Sequence, residues 1–225
     1  MKILVIDTCT LQSAVGLVDK GKVIAEKYAQ EGISHSEQLF EHIPQLLQKA
    51  GWNPYDLEMI AVTHGPGSFT GLRIGIAAAK GIAFALNLPL VGVSSLEALH
   101  LNKRVPPAIT VPLLDAKRGE MYGRLKDEEM VLSPETWKQE IEKISGKKIL
   151  LGSGALVYAD FFHAELKDCT IPSEDCHTPF VSSIAHLAER DLARNPIPDE
   201  VMPHYLRISD AEIGLQKKKK LSIHP

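Results

Sequence analysis

The sequence predicts an α/β protein built as two halves on one plan, and three observations carry that expectation. The segments KILVIDTCTLQSAVGLVDKGKVIAE and ITVPLLDAKRGEMYGRLKDEEMVLS follow one order. Each has an apolar strand ending in aspartate (Asp7, Asp115), a polar turn, a second strand through Gly16 or Gly123, an acidic turn and a third strand. Helix-period segments and a further apolar strand follow each meander, the alternation of α/β units. A chain of 225 residues can bury a substantial core and suits one large domain or two modest ones. Two ordinary hairpins are the alternative to a duplication.

Taken in order, residues 3–6 are a continuous β-branched and leucine run, as a buried strand requires, and the next hairpin turns at Asp19, Lys20 and Gly21. SHSEQLFEHIPQLLQKAG reads as a helix. Ser34 and Glu37 have capping-box spacing, Leu39, Ile43, Leu46 and Ala50 form one stripe, and Gly51 suits the C-terminal cap. Pro44 sits inside and is expected to kink it. A strand at 59–63, a glycine turn, a long helix over 71–87 and a strand at 90–93 follow. Val105, Pro106 and Pro107 mark a boundary. Beyond it a helix is expected over 134–144, a strand in KKILLGSGA and a helix over 182–194.

A formal net charge of -3 supplies no global drive toward nucleic acid or an acidic membrane. The three cysteines, Cys9, Cys169 and Cys176, form no close pair, which fits a reducing cytoplasm better than a disulfide scaffold. MKILVIDTCT lacks the long apolar core and cleavage site of a signal peptide. The apolar stretch 74–93 is broken by Lys80, Asn87 and Pro89, a poor pattern for a membrane span. A cytoplasmic protein is expected. The lysines at 217–220 read as a solvated tail.

The block GPGSFTGLRIGIAAAKGIAFALN, from Gly65 to Asn87, resembles a phosphate loop at first sight. It fails the Walker pattern because Gly71 is followed by Leu72 and Arg73, and it fails G-x-G-x-x-G because Thr70 stands at the last position. The helix itself is more informative. Gly71, Gly75, Ala79 and Ala83 line one edge, and Ala77, Gly81 and Ala85 a second. Glycine inside a helix costs about 1 kcal/mol relative to alanine, so Gly75 and Gly81 ask for the close approach of another backbone. Arg73 and Lys80 alone break the apolar surface, so the helix must be covered on nearly every side, by the chain's own elements or by a second protein.

ILVIDTCT, HSEQL, GPGSFTGLRIGIAAAKGIA, VGVSSLEAL, LLDAKRGEMY and PHYLR together resemble the TsaB (YeaZ) family of bacterial tRNA threonylcarbamoyladenosine biosynthesis proteins, in order from the N-terminus to about residue 207. The resemblance implies the two-lobed fold of actin, hexokinase and Hsp70, called ASKHA, with duplicated βββαβα units. The lobes would be 1–104 and 105–207, followed by a basic tail at 208–225. It also implies kinship with TsaD, which transfers threonylcarbamoyl to the adenosine beside the anticodon of ANN-reading tRNAs and holds its metal on an H-x-x-x-H helix. Here those two positions are Ser95 and Leu99, and His100 is one residue out of register. A hydroxyl and a leucine make no iron or zinc site, so no metal is expected. His35 and His42 lack a third convergent ligand in the local sequence.

Kinases of this fold place glycine after the first-strand aspartate so that amides can approach phosphate. Thr8, Cys9 and Thr10 follow Asp7 here, and Ala116, Lys117 and Arg118 follow Asp115. A vestigial nucleotide or anion site would fall at Asp7, Thr8, Thr10, Gly65, Gly67, Ser68, Asp115, Gly152 and Gly154, holding ATP or ADP weakly or shared with a partner. No residue is expected to be catalytic. The family points to a scaffold that binds TsaD directly, with the ATPase TsaE in the assembled complex and tRNA engaged indirectly. The contact is expected on the first two helices at Leu39, Phe40, Ile43, Leu46, Leu47, Gly71, Arg73, Gly75, Ile76, Ala79, Lys80 and Phe84, with a homodimer through the same surface when the chain is alone. The competing readings are an ATP-dependent phosphotransferase of the same fold and a glycoprotease-like metallopeptidase.

Overall fold

A computed structural model describes residues 1–10, 12–28, 35–102, 107–173, 175–198 and 200–207. Ser34, the side chains of His35 and Glu37, Val105 and Pro106, and the tail 208–225 with its lysines lie outside the described residues.

The opening meander is β1 (Lys2–Asp7), β2 (Ala14–Asp19) and β3 (Lys22–Tyr28). Lys20 and Gly21 make its two-residue turn with φ of 49° and 73°, the left-handed pair whose twist matches the flanking strands. Helix α1 (His35–Ala50) runs through Pro44 without ending, and Gly51 closes it at φ 67°. A 3-10 turn at Pro54–Asp56 leads to β4 (Met59–Gly65), then α2 (Phe69–Leu86), β5 (Leu90–Ser94) and α3 (Ser95–Leu101). Ser68 caps α2, accepting from the Gly71 amide, and Asn87 ends it in the left-handed conformation.

The second half repeats this with β6 (Ile109–Lys117), β7 (Glu120–Leu125), β8 (Glu128–Leu132), α4 (Pro134–Glu142) and β9 (Lys148–Leu151). It then breaks the crossover into α5 (Ser153–Val157) and α6 (Ala159–Glu165) before the short β10 (Cys169–Thr170) and α7 (Val181–Arg194). The split helix and β10 carried no periodic signal strong enough to be expected.

The two sheets have one topology, β3-β2-β1-β4-β5 and β8-β7-β6-β9-β10, antiparallel through each meander and parallel beyond it. This is the duplicated arrangement of the ASKHA fold, and two unrelated hairpins do not produce it. The glycines that suggested the repeat answer different neighbours. A Cβ on Gly16 would stand 2.3 Å from Val181 of α7, and one on Gly123 would stand 2.4 Å from Trp137 of α4.

Helices α1 and α2 cover one face of the first sheet, packing Leu39, Leu46, Ile76 and Ala79 on Leu4, Ile6, Ile60 and Val62. On the second sheet α4 and α6 bury Trp137 and Phe162 over Val111, Leu113 and Leu150. The last helix of each half covers the other half's sheet. Leu96 and Leu99 of α3 pack with Leu114, Ile149 and Leu151, while Ile184, Leu187 and Ala188 of α7 pack with Ile3, Val5, Ala61 and Val93. By length and composition α2 could cross a membrane. Here it is the crossover helix of the first lobe, with Gly71, Leu72, Gly75, Ile76, Ala79 and Ala83 buried.

Candidate functional site between the lobes

The ends of β1 and β6 face a cavity of about 340 Å3 whose walls include Cys9, Thr10, Ser68, Asp115, Lys117, Tyr122, Ser153 and Arg207. This is where the sequence placed a vestigial nucleotide or anion site, and Thr10, Gly67, Ser68 and Asp115 do meet there. Ser153, between the expected Gly152 and Gly154, joins them, as do Tyr122 and Arg207 from segments the sequence did not assign to this site.

Asp7 is fully buried at the end of β1. Its Oδ1 accepts from the Cys9 amide at 2.9 Å and from Thr63 Oγ1 at 2.5 Å, and its Oδ2 accepts from Thr10 Oγ1 at 3.1 Å. Burial raises its pKa, and these donors pull against the rise. The Cys9 thiol donates to the Thr63 carbonyl at 3.2 Å, and burial, then the Asp7 charge, push its pKa up. A thiol so held is a packed hydrophobe and a poor nucleophile.

The glycine block is built around this same turn. A Cβ on Gly67 would lie 2.2 Å from the Cys9 carbonyl oxygen, one on Gly71 1.9 Å from the Thr8 carbonyl oxygen, and one on Gly75 2.2 Å from Thr8 Oγ1. Thr8 Oγ1 donates to the Gly71 carbonyl at 2.6 Å, and the Ser68 amide donates to the Cys9 carbonyl at 2.8 Å. The glycines admit the chain's own turn rather than a phosphate. Gly65 (φ +119) precedes a cis peptide to Pro66 and abuts the His204 carbonyl.

The second lobe is closed in another way. Asp115 Oδ1 accepts from the Lys117 amide at 2.8 Å and its Oδ2 from Lys117 Nζ at 2.7 Å. The Lys117 ammonium, highly exposed, is held above its ordinary pKa by that hydrogen bond and by the carboxylate charge. Gly152 takes φ +103, where a Cβ would meet the Leu113 carbonyl oxygen at 2.3 Å, and its amide donates to His177 Nδ1 at 3.0 Å. Gly154 packs on the backbone of Leu113 and Leu114. Both glycines let α5 lie close on β6.

Ser95 and Leu99 are fully buried in α3. Leu99 packs with Leu114 and Leu151, so carbon fills the second ligand position of the TsaD pattern. Among the described residues no cluster of three or more His, Cys, Asp or Glu side chains is arranged to hold a metal.

The candidate docking residues separate into two groups. Leu39, Ile43, Leu46, Leu47 and Ile76 belong to the core of the first lobe, and Gly71, Gly75 and Ala79 are buried against the sheet and Thr8. These eight therefore form the platform beneath a docking face, and of them only Ile43 and Leu47 reach its surface, in the walls of a groove. Phe40 and Phe84 do present themselves, 63% and 91% exposed; Arg73 is exposed too, its guanidinium lying over Phe69. Lys80 is half-buried and paired with Glu200 at 2.8 Å. The open small edge is the other one: Ala77, Gly81 and Ala85 are exposed, and a Cβ on Gly81 would meet nothing within 4 Å. An apolar groove of about 500 Å3 opens between α1 and α2, lined by Ile43, Pro44, Leu47, Trp52, Ile82 and Leu86. Trp52 lies beyond α1 in a loop and gave no sequence signal for it.

The family model for TsaD, tRNA N6-adenosine threonylcarbamoyltransferase, matches residues 22–223. The tRNA threonylcarbamoyladenosine biosynthesis protein TsaB of Bacillus subtilis is 30% identical over 94% of this chain and 96% of its own length. The chain belongs to the TsaB family. The Escherichia coli TsaB is 32% identical over 71% of this chain and 74% of its own. The solved structure of YeaZ from Pseudomonas aeruginosa superposes with a TM-score of 0.73 at 27% identity, covering 91% of this chain and 99% of that one.

Proposed function

We propose that this chain serves tRNA threonylcarbamoyladenosine biosynthesis as the noncatalytic scaffold and activator that binds TsaD, while TsaD, with the ATPase TsaE, modifies the adenosine beside the anticodon of ANN-reading tRNAs in the cytoplasm. One observation carries the reading. The groups that an enzyme of this fold would turn toward nucleotide and metal are satisfied inside the chain: Asp7 by Cys9, Thr10 and Thr63, and Asp115 by Lys117. Asp7 is moreover fully buried, so neither of its oxygens is open to a magnesium ion, and the Lys117 ammonium stands against Asp115 where a cation would bind. The same geometry counts against the phosphotransferase reading, and the Ser95 and Leu99 positions count against the metallopeptidase.

The docking face is then the exposed side of α1 and α2, with Phe40, Phe84, Arg73 and the Ala77, Gly81 and Ala85 edge around the apolar groove. An uncovered patch of this kind favours self-association, so the isolated chain forms a homodimer through it and exchanges that contact for TsaD. Any nucleotide would bind weakly or at the boundary with the partner.

Reconstitution tests this. TsaD and TsaE are supplied with threonylcarbamoyl-adenylate and an ANN-reading tRNA, with and without this chain, while light scattering weighs the TsaD complex. Modification that depends on the chain, with a stable complex, supports the scaffold. Magnesium-dependent ATP turnover by the isolated chain, with no complex and no dependence, refutes it.

A further inference from the structure

We propose that residues 200–207 form a clasp across the two lobes, gripping most tightly when His204 is charged and His64 is neutral. The inference stands on this chain's own geometry and is independent of the scaffold reading.

The segment is anchored to both lobes. On the first, Glu200 Oε1 accepts from Lys80 Nζ of α2 at 2.8 Å, Val201 is buried, and the His204 amide donates to the His64 carbonyl at 2.8 Å. Tyr205 stacks on Phe69 with ring centroids 5.1 Å apart, and its hydroxyl accepts from Arg73 Nε at 3.0 Å. On the second lobe, His204 Nε2 meets Glu129 Oε2 of β8 at 3.0 Å and Arg207 donates to Glu120 Oε2 of β7 at 2.8 Å. The strands leave room for it. A Cβ on Gly65 would stand 2.7 Å from the His204 carbonyl oxygen, and one on Gly92 3.0 Å from Val201 Cγ1.

Two imidazoles sit at the middle of the clasp, their ring centroids 5.8 Å apart. His64 Nδ1 lies 3.3 Å from the Met202 carbonyl, an acceptor that takes the Nδ1 hydrogen of the neutral or the charged ring, so burial and His204 work against this contact in holding His64 neutral. Glu129 is shared: it faces His204, accepts from Ser94 Oγ of β5, and lies 3.7 Å from Arg124 of β7, which is 4.0 Å from Glu97 of α3. Helix α7 adds Asp191 and Arg194 to the cavity of about 560 Å3 beside the two rings, and the clasp itself adds Glu200.

The hydrogen bond to Glu129 holds His204 above its ordinary pKa, against the effect of burial. That contribution is complete below the unfolded value and is lost as pH rises through the folded one. Burial, then the charge of His204, holds His64 below its ordinary pKa, so its contribution is present above that value and lost as pH falls. Glu129 has its pKa raised by burial and lowered further by His204 and Ser94, with a net fall, so it stays charged across this window. Grip is therefore maximal between the two histidine transitions and weakens on either side, each limb belonging to one ring.

Hydrogen exchange of the His204 amide in the full chain, corrected for intrinsic rate and followed from about pH 5 to about pH 9, tests this, with β1 amides as the control for global stability. The expected protection rises and then falls at least severalfold relative to β1. His204→Gln, which can still hydrogen-bond Glu129, removes the alkaline limb and, with the His204 charge gone, weakens the acid limb; His64→Gln removes the acid limb and keeps the alkaline one, and Arg207→Ala lowers protection at every pH without changing the profile. A flat profile in the unaltered chain overturns the proposal whatever the variants do, and so does an unaltered profile in both glutamine variants.

Discussion

Gly71 and Gly81 show how one residue type can answer opposite demands within one helix. A Cβ on Gly71 would stand 1.9 Å from the Thr8 carbonyl oxygen, whereas one on Gly81 would meet nothing. Gly71→Ala must push the backbone of the first-strand turn, which by the usual cost of overpacking destabilises by about 1–3 kcal/mol. Gly81→Ala removes only the backbone entropy penalty of glycine and stabilises by up to about 1 kcal/mol. Urea denaturation of the two variants checks the pair, and a shift of both midpoints in the same direction would contradict the assignment of the two edges. Gly75→Leu, which would drive a larger side chain at Thr8, disrupts the fold itself and is uninformative about docking.

At the scale of elements, α2 meets three environments at once: the sheet, the strap of residues 200–207 and open solvent. Phe84, 91% exposed, lies on the open side. Phe84→Glu is expected to leave melting unchanged within about 0.5 kcal/mol, as for a surface site. It should weaken both self-association and TsaD capture by at least about tenfold, the loss of one buried aromatic anchor. Unchanged mass by light scattering and unchanged capture would remove α2 from the interface.

Helix α3 joins the lobes by charge as well as by packing. Glu97 accepts from Arg190 of α7 at 2.7 Å and lies 4.0 Å from Arg124 of β7. Burial pushes Glu97 upward, but the Arg190 hydrogen bond and the two guanidinium charges outweigh it and hold the carboxyl below its ordinary range. A lowered carboxylate contributes stability above its unfolded pKa and loses it as pH falls through the folded one. Glu97→Gln is accordingly expected to cost about 1–2 kcal/mol at neutral pH and progressively less toward acid. Thermal melts across pH read this, and a cost that does not change with pH would show that charge is not what Glu97 supplies.

For the whole molecule, the reciprocal placement of α3 and α7 makes each half depend on the other. The first sheet loses the cover of Ile184, Leu187 and Ala188 if the chain is cut between the halves, and the second loses Leu96 and Leu99. Separate chains 1–104 and 105–207 are expected to be unfolded alone and to form a folded complex when mixed or co-expressed, which circular dichroism and gel filtration can follow. Independent folding of either half would show that the exchanged helices contribute little.

The sequence by itself determined the meanders, the glycine-rich helix, the paired halves and the absence of ligand chemistry at Ser95 and Leu99, because strand alternation, turn residues and side-chain chemistry are local properties. The family could be read from motifs such as GPGSFTGLRIG for the same reason. Only the tertiary structure decided which edge of α2 is open, that Gly71 and Gly75 receive Thr8, and that His204 sits between His64 and Glu129. Each of these depends on contacts between residues far apart in the chain, or on which face of an otherwise apolar helix meets the sheet. No periodicity specifies that when nearly every face is apolar.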